Sequence, residues 1–342
     1  MKTEWASPRG RPQPEREMGK AQGNELDSKA GLKSRLRGAV VAAVGALCLA
    51  SVGGAANADA KSVEGQRPID DPKVQAFMKD MQRRHKLDAA ELDAIFRDAS
   101  FTQKVIDAFS RTAESKPWHQ YRKLFLKPNR IDGGVAFWET HRGTLKRAEA
   151  TYGVPPEVIV AIIGIETLYG QYKGRIRVLD ALTTLAFRYP RRAKFFRGEL
   201  EALLLLNRDE GIPLSQVKGS YAGAMGYGQF IPTSYRAYAV DFDNDGQRDL
   251  LGSKSDAIGS VANYLKRHRW QRGMPVVRQV DGVSAKDSRL AKRSLKPKLT
   301  VAGLRTSGVR PVSEDLPDGS VTLFSLRAEN GHEYWVGYRN FY

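Results

Sequence analysis

Along most of the 342-residue chain, apolar residues recur at helical spacing. Leu92, Ile95 and Phe96 share one face of a helix opened by Asp88-Ala89-Ala90-Glu91, a capping-box pattern. Residues 103–110 continue in helical style, and 118–131, WHQYRKLFLKPNRI, set aromatic among basic side chains. The run 134–153, GVAFWETHRGTLKRAEATYG, predicts one helix ended by Gly153. Pro155-Pro156-Glu157 opens the next, because proline suits a first helical turn and an acid suits the positive end of the helix dipole. Further helices are expected at 178–187, 192–210 and 255–268, with Asn207 to Pro213 breaking the second. From about residue 276 the pattern changes. TLFSLRAENGHEYWVGY holds two strand-like runs around Asn330-Gly331, a hairpin signal, and Leu316-Pro317-Asp318-Gly319 marks another turn. The basic stretch 282–298 is expected at the surface, and no internal repeat is evident. The pattern predicts a mainly α protein: a helical domain over 59–275 and a small β-containing part over 276–342.

The N-terminus adds a compartment. Residues 39–54, AVVAAVGALCLASVGG, follow Lys33, Arg35 and Arg37 and precede two small-x-small cleavage options at 56–60, the layout of a secretory signal peptide. At about 16 residues the apolar run is short for a membrane span, which needs roughly 20; an uncleaved anchor is the alternative. Residues 1–58 are read as extension plus leader, with Met18 a plausible true start. The single cysteine, Cys48, lies inside the apolar run after Leu47, which argues against lipidation and leaves the mature chain without disulfides. The net charge is +17; residues 1–58 carry nine Lys/Arg and five Asp/Glu, so +13 stays with the mature chain. Such a charge favours an anionic partner, and export argues against nucleic acid.

Three stretches can carry chemistry. In AIIGIETLYG (161–170) one carboxylate, Glu166, follows Ile162, Ile163 and Ile165. Apolar surroundings disfavour the charged form, and a carboxyl that keeps its proton near neutral pH can donate it to a leaving group. A structural glutamate is the competing reading. GSYAGAMGYGQFIPTSY (219–235) combines small residues, where backbone can approach a ligand, with Tyr221, Tyr227, Phe230 and Tyr235 for stacking and Ser220 and Gln229 for hydrogen bonds. It reads as a groove wall; a tight helix contact is the alternative. Asp241, Asp243 and Asp245, then Gly246 and Gln247, follow an EF-hand spacing, with Gly252 where the closing glutamate normally stands and Asp256 able to supply that contact. Calcium is therefore expected, and a solvated acidic turn is the alternative. The five histidines show no zinc spacing, and neither a Walker loop nor a G-x-S-x-G elbow is present.

YGVPPEVIVAIIGIET, LDALTTLAFRYPRRAKFF, GSYAGAMGYGQFIPTSY, VDFDNDGQRDLL and DAIGSVANYL stand in the order found in lytic murein transglycosylases of the B type, and the chain resembles that family from about residue 66 to 342. The resemblance implies a lysozyme-like helical core and cleavage of the β-1,4 bond between N-acetylmuramic acid and N-acetylglucosamine, without water, to a 1,6-anhydromuramoyl end. It implies Glu166 as acid and then base, and Ser220 as the group that orients it. Gln229, Tyr121, Arg192 and Tyr264 match groove positions, Arg191 and Arg192 could meet peptide carboxylates, and Tyr227 is a further glycan candidate. Asp241, Asp243, Asp245, Gln247 and Asp256 match a structural calcium loop, Asp256 one residue later than the family pattern. No organic cofactor is implied. The expected partners are peptidoglycan strands and other cell-wall enzymes, the expected compartment is the periplasm, and the expected state is a monomer. Beyond YWVGYRNFY the family continues with a helix bearing a tyrosine and an asparagine, so the C-terminal part reads as truncated. A hydrolytic muramidase and a non-catalytic wall-binding protein remain as rivals.

Overall fold

The structure, a computed structural model, describes residues 29–50, 62–63, 65–110, 116–292 and 295–342, the side chains of 40–50, 110 and 292 excepted. The cleavage options at 56–60 lie outside the described residues. In chain order the first helices are α1 (Lys29–Ala50), α2 (Pro72–His85), α3 (Ala89–Asp98), α4 (Gln103–Ser110) and α5 (Trp118–Phe125). Then come α6 (Pro128–Thr140), α7 (Arg142–Tyr152), α8 (Pro156–Thr167), α9 (Val178–Arg188) and α10 (Ala193–Glu210). α11 (Pro232–Tyr238) and α12 (Lys254–Arg267) complete the helical body. Proline takes the first turn of α2, α6, α8 and α11, where its missing N–H has no partner to lose.

α8 is apolar on nearly every side, the pattern of a helix at the centre of a fold, and Ile159, Val160, Ala161 and Ile163 are all 0 % exposed. It packs against α1, α6, α7 and α12. The run expected as one helix over 134–153 is two. The His141 amide closes α6 onto the Phe137 carbonyl, and its own carbonyl starts α7 by accepting from Leu145. α10 runs past Asn207 to Glu210. Asn207 sits inside its last turn and donates from its side chain to the Ile212 carbonyl, while Gly211 takes the left-handed cap at φ +68°.

The strands form two sheets. β1 (Ile176–Arg177) pairs with β2 (Lys218–Gly219) beside the C-terminal end of α8. The others, β3 (Val277–Asp281), β4 (Leu299–Thr300), β5 (Arg310–Pro311), β6 (Ser320–Ala328) and β7 (Gly331–Gly337), make an antiparallel sheet ordered β4-β6-β7-β3-β5. β6 and β7 form the hairpin expected at Asn330-Gly331, in register from Thr322↔Gly337 to Ala328↔Gly331. β6 is buried on both faces. Leu323 joins a small local core with Val301, Leu304 and Val336, while Phe324 and Leu326 join the large helical one.

Candidate active site

Glu166 stands in the last turn of α8, and the chain beyond it turns sharply. Leu168, Tyr169 and Gly170 have φ of +50°, +59° and +92°. Left-handed backbone is unfavourable for the first two, so packing must hold it. Tyr169 supplies that packing. Its ring lies against Gly164, where a Cβ would come within 2.5 Å of the hydroxyl oxygen, and that hydroxyl donates to the Arg130 carbonyl. Buried Thr167 makes the second tie. Its hydroxyl donates to the Tyr227 carbonyl at 2.9 Å and accepts from the Gly170 amide at 3.0 Å. The Glu166 end of α8 is thereby fastened to the 219–230 turn.

That turn is a compact hairpin. Met225 and Phe230 exchange both backbone hydrogen bonds, and the Ser220 amide donates to the Ala224 carbonyl. Between them Gln229 sits at φ +51° and donates its side-chain amide to the carbonyls of Gly226 and Lys173. A half-open cavity of about 340 Å³ lies between this turn, α8 and α12. Ile162, Glu166, Gln229, Ser234, Val261 and Tyr264 line it, with Phe230 and Leu265.

The carboxyl of Glu166 is open to the cavity but crowded by protein on its other sides, and burial alone pushes its pKa up to about 7. No ion pair or hydrogen bond opposes the shift among the described residues. Water reaches the tip while low-dielectric protein surrounds the rest, so the direction follows from the shape of the site. Among the described residues, no second acid lines the cavity. The two other acids closest in sequence are engaged elsewhere: Asp180 holds Arg177 and the Ser100 amide, and Glu157 pairs with Arg35. A roomier cavity of about 420 Å³ across the turn is lined by Gly170, Gln171, Lys173 and Lys218, and among the described residues no acid lines it.

Of the residues expected to bind glycan, Gln229 and Tyr264 share the cavity with Glu166. Ser220 stands outside its wall; its Oγ accepts from the amides of Ala222 and Ala224, which shapes the turn rather than orienting Glu166. Tyr227 is buried: its ring fills the space above Gly170, with the Lys173 ammonium 4.5 Å from its centroid, so neither face is open to a sugar. Tyr121 packs on Phe125 in α5 and is not among the residues lining this cavity. Arg191 and Arg192 are exposed on the turn before α10, the Arg192 guanidinium 4.3 Å from the Phe195 ring centroid. Sequence reasoning missed Ser234 and Thr167, two ordinary hydroxyl residues whose spacing carries no signal.

The acidic loop brings Asp241, Asp243 and Asp256 together, with carboxylate oxygens within 4.8 Å of one another. None of the three is in an ion pair among the described residues. Asp256, 0 % exposed in the first turn of α12, accepts from the amides of Phe242 and Asp249. Three unneutralised carboxylates this close repel one another, and a hard divalent cation with oxygen ligands suits the set. Asp245 turns one oxygen to the Gln247 amide and stands outside the trio.

The Transglycosylase SLT domain family matches residues 70–342. The membrane-bound lytic murein transglycosylase B of Escherichia coli (strain K12) is 42% identical over 281 residues, covering 79% of this chain and 76% of that protein. The chain is a lytic transglycosylase of this family. Among solved structures, the catenated lytic transglycosylase SltB1 from Pseudomonas aeruginosa superposes with TM-score 0.75 at 44% identity, over 80% of this chain and 90% of that one. The Escherichia coli lytic transglycosylase Slt35, solved in complex with calcium, gives 0.73 at 41% identity, over 80% and 86%. As a lytic transglycosylase the protein is an enzyme that cleaves peptidoglycan, and its helical body has the lysozyme-like fold of those relatives.

Proposed function

We propose that Glu166 alone serves this transglycosylase as acid and then as base. The bond cut is the β-1,4 link between N-acetylmuramic acid and N-acetylglucosamine. The neutral carboxyl gives its proton to the glycosidic oxygen, which leaves with the bonding electron pair. The acetamido oxygen of the substrate bonds to the electron-poor C1. The Glu166 carboxylate then removes the C6 hydroxyl proton, and O6 attacks C1 and displaces the acetamido oxygen. A 1,6-anhydromuramoyl end forms and no water is consumed. One observation carries this reading: a single acid, with its pKa raised to about 7, in a cavity that offers no second carboxylate. An ordinary glycosidase needs two. Because the second nucleophile belongs to the substrate, its effective concentration is high without a positioned water.

Gln229 and Tyr264 are the glycan contacts this reading assigns, and exposed Arg191 and Arg192 meet carboxylates of the peptide stems. Asp241, Asp243 and Asp256 hold calcium, with the Gln247 carbonyl as a further ligand; the ion braces the loop and takes no part in bond cleavage. The enzyme works in the cell envelope, on the periplasmic side.

The test is digestion of cell-wall sacculi followed by mass spectrometry of the fragments. The parent is expected to release anhydro-ended fragments and Glu166→Gln almost none, while the variant still binds glycan. Fragments with reducing ends would make the enzyme a hydrolase, and undiminished release by Glu166→Gln would remove the residue from the mechanism.

A further inference from the structure

The hairpin of β6 and β7 has an outer face that bond cleavage does not use. Ser325 stands opposite Tyr334 and Arg327 opposite His332, and these four share the face of Leu323 and Val336 over the small local core. The other face, with Phe324, Leu326 and Trp335, lies on the helical body. Part of the basic stretch folds back over the outer face: the short helix Ala285–Ser288 leads through Arg289 into the turn Leu290–Lys292, which packs on β6. Between them lies a half-open cavity of about 210 Å³, lined by Ser288, Arg289, Ser325, His332 and Tyr334. Pockets that enclose a drug-sized ligand run to roughly 300–1,000 Å³, so this one suits a single small group.

All five lining residues are polar, and among the described residues no acid is one of them. The nearby acids are engaged elsewhere. Asp287 accepts from the Ser284 hydroxyl, and Glu333, on the other face, accepts from Trp118 and Arg122. The Ser288 hydroxyl donates to the Ala285 carbonyl. The side chains of Arg289, Ser325, His332 and Tyr334 hold no hydrogen bond or ion pair among the described residues. Each of the four can donate. A concave site with a guanidinium, two hydroxyls and an imidazole, and no carboxylate, suits an oxyanion, which accepts several such bonds at once and takes the guanidinium bond in its charge-assisted form.

We propose that this cavity is a second binding site, for the terminal carboxylate of a peptidoglycan stem peptide. The oxyanion chemistry stands on the cavity alone, and free phosphate offers the same acceptors; the choice of a peptide rests on the reading of an enzyme that works on the wall. The cavity shares no lining residue with that of Glu166, and the sheet separates it from the helical body. It therefore grips the wall rather than the reacting sugars. A stem held on the sheet raises the local concentration of glycan at Glu166 without a new contact to the bond being cut.

The His332 imidazole proton signal in NMR spectra of the full chain is a local reporter, assigned by its loss in His332→Gln. Acetyl-D-alanyl-D-alanine is expected to shift it saturably, and the C-terminal amide of the same peptide to leave it in place. Arg289→Ala is expected to weaken the peptide about tenfold, because a charge-assisted hydrogen bond is lost. Tyr334→Phe, which keeps the ring and removes only the hydroxyl, is expected to weaken it by a smaller factor. Replacing Arg191 and Arg192 by alanine should leave the shift intact, which separates this site from the arginines before α10. No saturable shift, an equal response to the amide, parent-like affinity in both Arg289→Ala and Tyr334→Phe, or loss of the shift with Arg191 and Arg192 would each overturn the site. Inorganic phosphate is expected to displace the peptide only at higher concentration; tighter binding of phosphate would keep the oxyanion pocket and overturn the peptide as its occupant. The peptide is bound and not cut, so this result is independent of whether Glu166 acts as acid and base.

Discussion

At the scale of single residues, Glu166 owes its chemistry to what is missing around it. The raised pKa comes from crowding alone, so the folded chain binds this proton more tightly than the unfolded one. The stability it contributes is complete below the unfolded value near 4.5 and is lost as pH rises through about 7. Glu166→Gln removes that dependence. Its melting temperature should exceed the parent's at pH 8 and match it at pH 4, and a constant difference across that range would contradict the assignment. Cleavage by the parent should fall as pH rises through about 7, since the first step needs the protonated acid. Thr167→Val leaves the Gly170 amide and the Tyr227 carbonyl without partners in a buried place. A loss of about 1–3 kcal/mol in urea melts is the expectation; no measurable loss would show the tie to be dispensable. Glu166 was legible because one carboxylate among isoleucines is a conflict that wants a reason. The environments of Ser220 and Tyr227 were not. A hydroxyl can serve a substrate or its own turn, and only the fold shows that Ser220 serves the Ala222 and Ala224 amides and that Gly170 makes room for the Tyr227 ring.

At the scale of elements, α12 joins two sites. Asp256 in its first turn faces the acidic loop, and Tyr264, two turns on, lines the cavity of Glu166. A chain of hydrogen bonds, two of them made by side chains, runs in parallel. Asp256 accepts from the Asp249 amide, the next residue's carbonyl accepts from the Tyr227 amide at 3.1 Å, and the Tyr227 carbonyl accepts from Thr167 at the end of α8. The acidic loop thus braces the cavity from behind without touching it. Removing divalent cations with a chelator should lower the melting temperature and cost less in cleavage measured well below it. Asp256→Asn should abolish the chelator's effect, and an identical melt with and without chelator in the parent would exclude a bound ion. The loop spacing was legible because acids at alternating positions followed by glycine serve little else. The full burial of Asp256 was not, since it depends on two amides that arrive from another segment. Nor was the split between α6 and α7, because nothing local to His141 forbids helix. Tertiary packing against α12 and α8 turns α7 there.

At the scale of the whole molecule, composition separates two parts more cleanly than packing does. Hydrophobic period marks the change near residue 276, yet β6 gives Leu323 to one core and Phe324 and Leu326 to the other. Trp118 and Arg122 of α5 also reach Glu333 on β7. A strand with two apolar faces cannot leave one of them without wetting it. Calorimetry should accordingly record one heat-absorption peak with matching van't Hoff and calorimetric enthalpies. Two peaks would show that the sheet melts by itself. The same strand limits how such an enzyme can be shortened or rebuilt: a graft that exchanges the sheet must carry the Phe324 and Leu326 face with it, or the lysozyme-like half will open a greasy flank to water and clump.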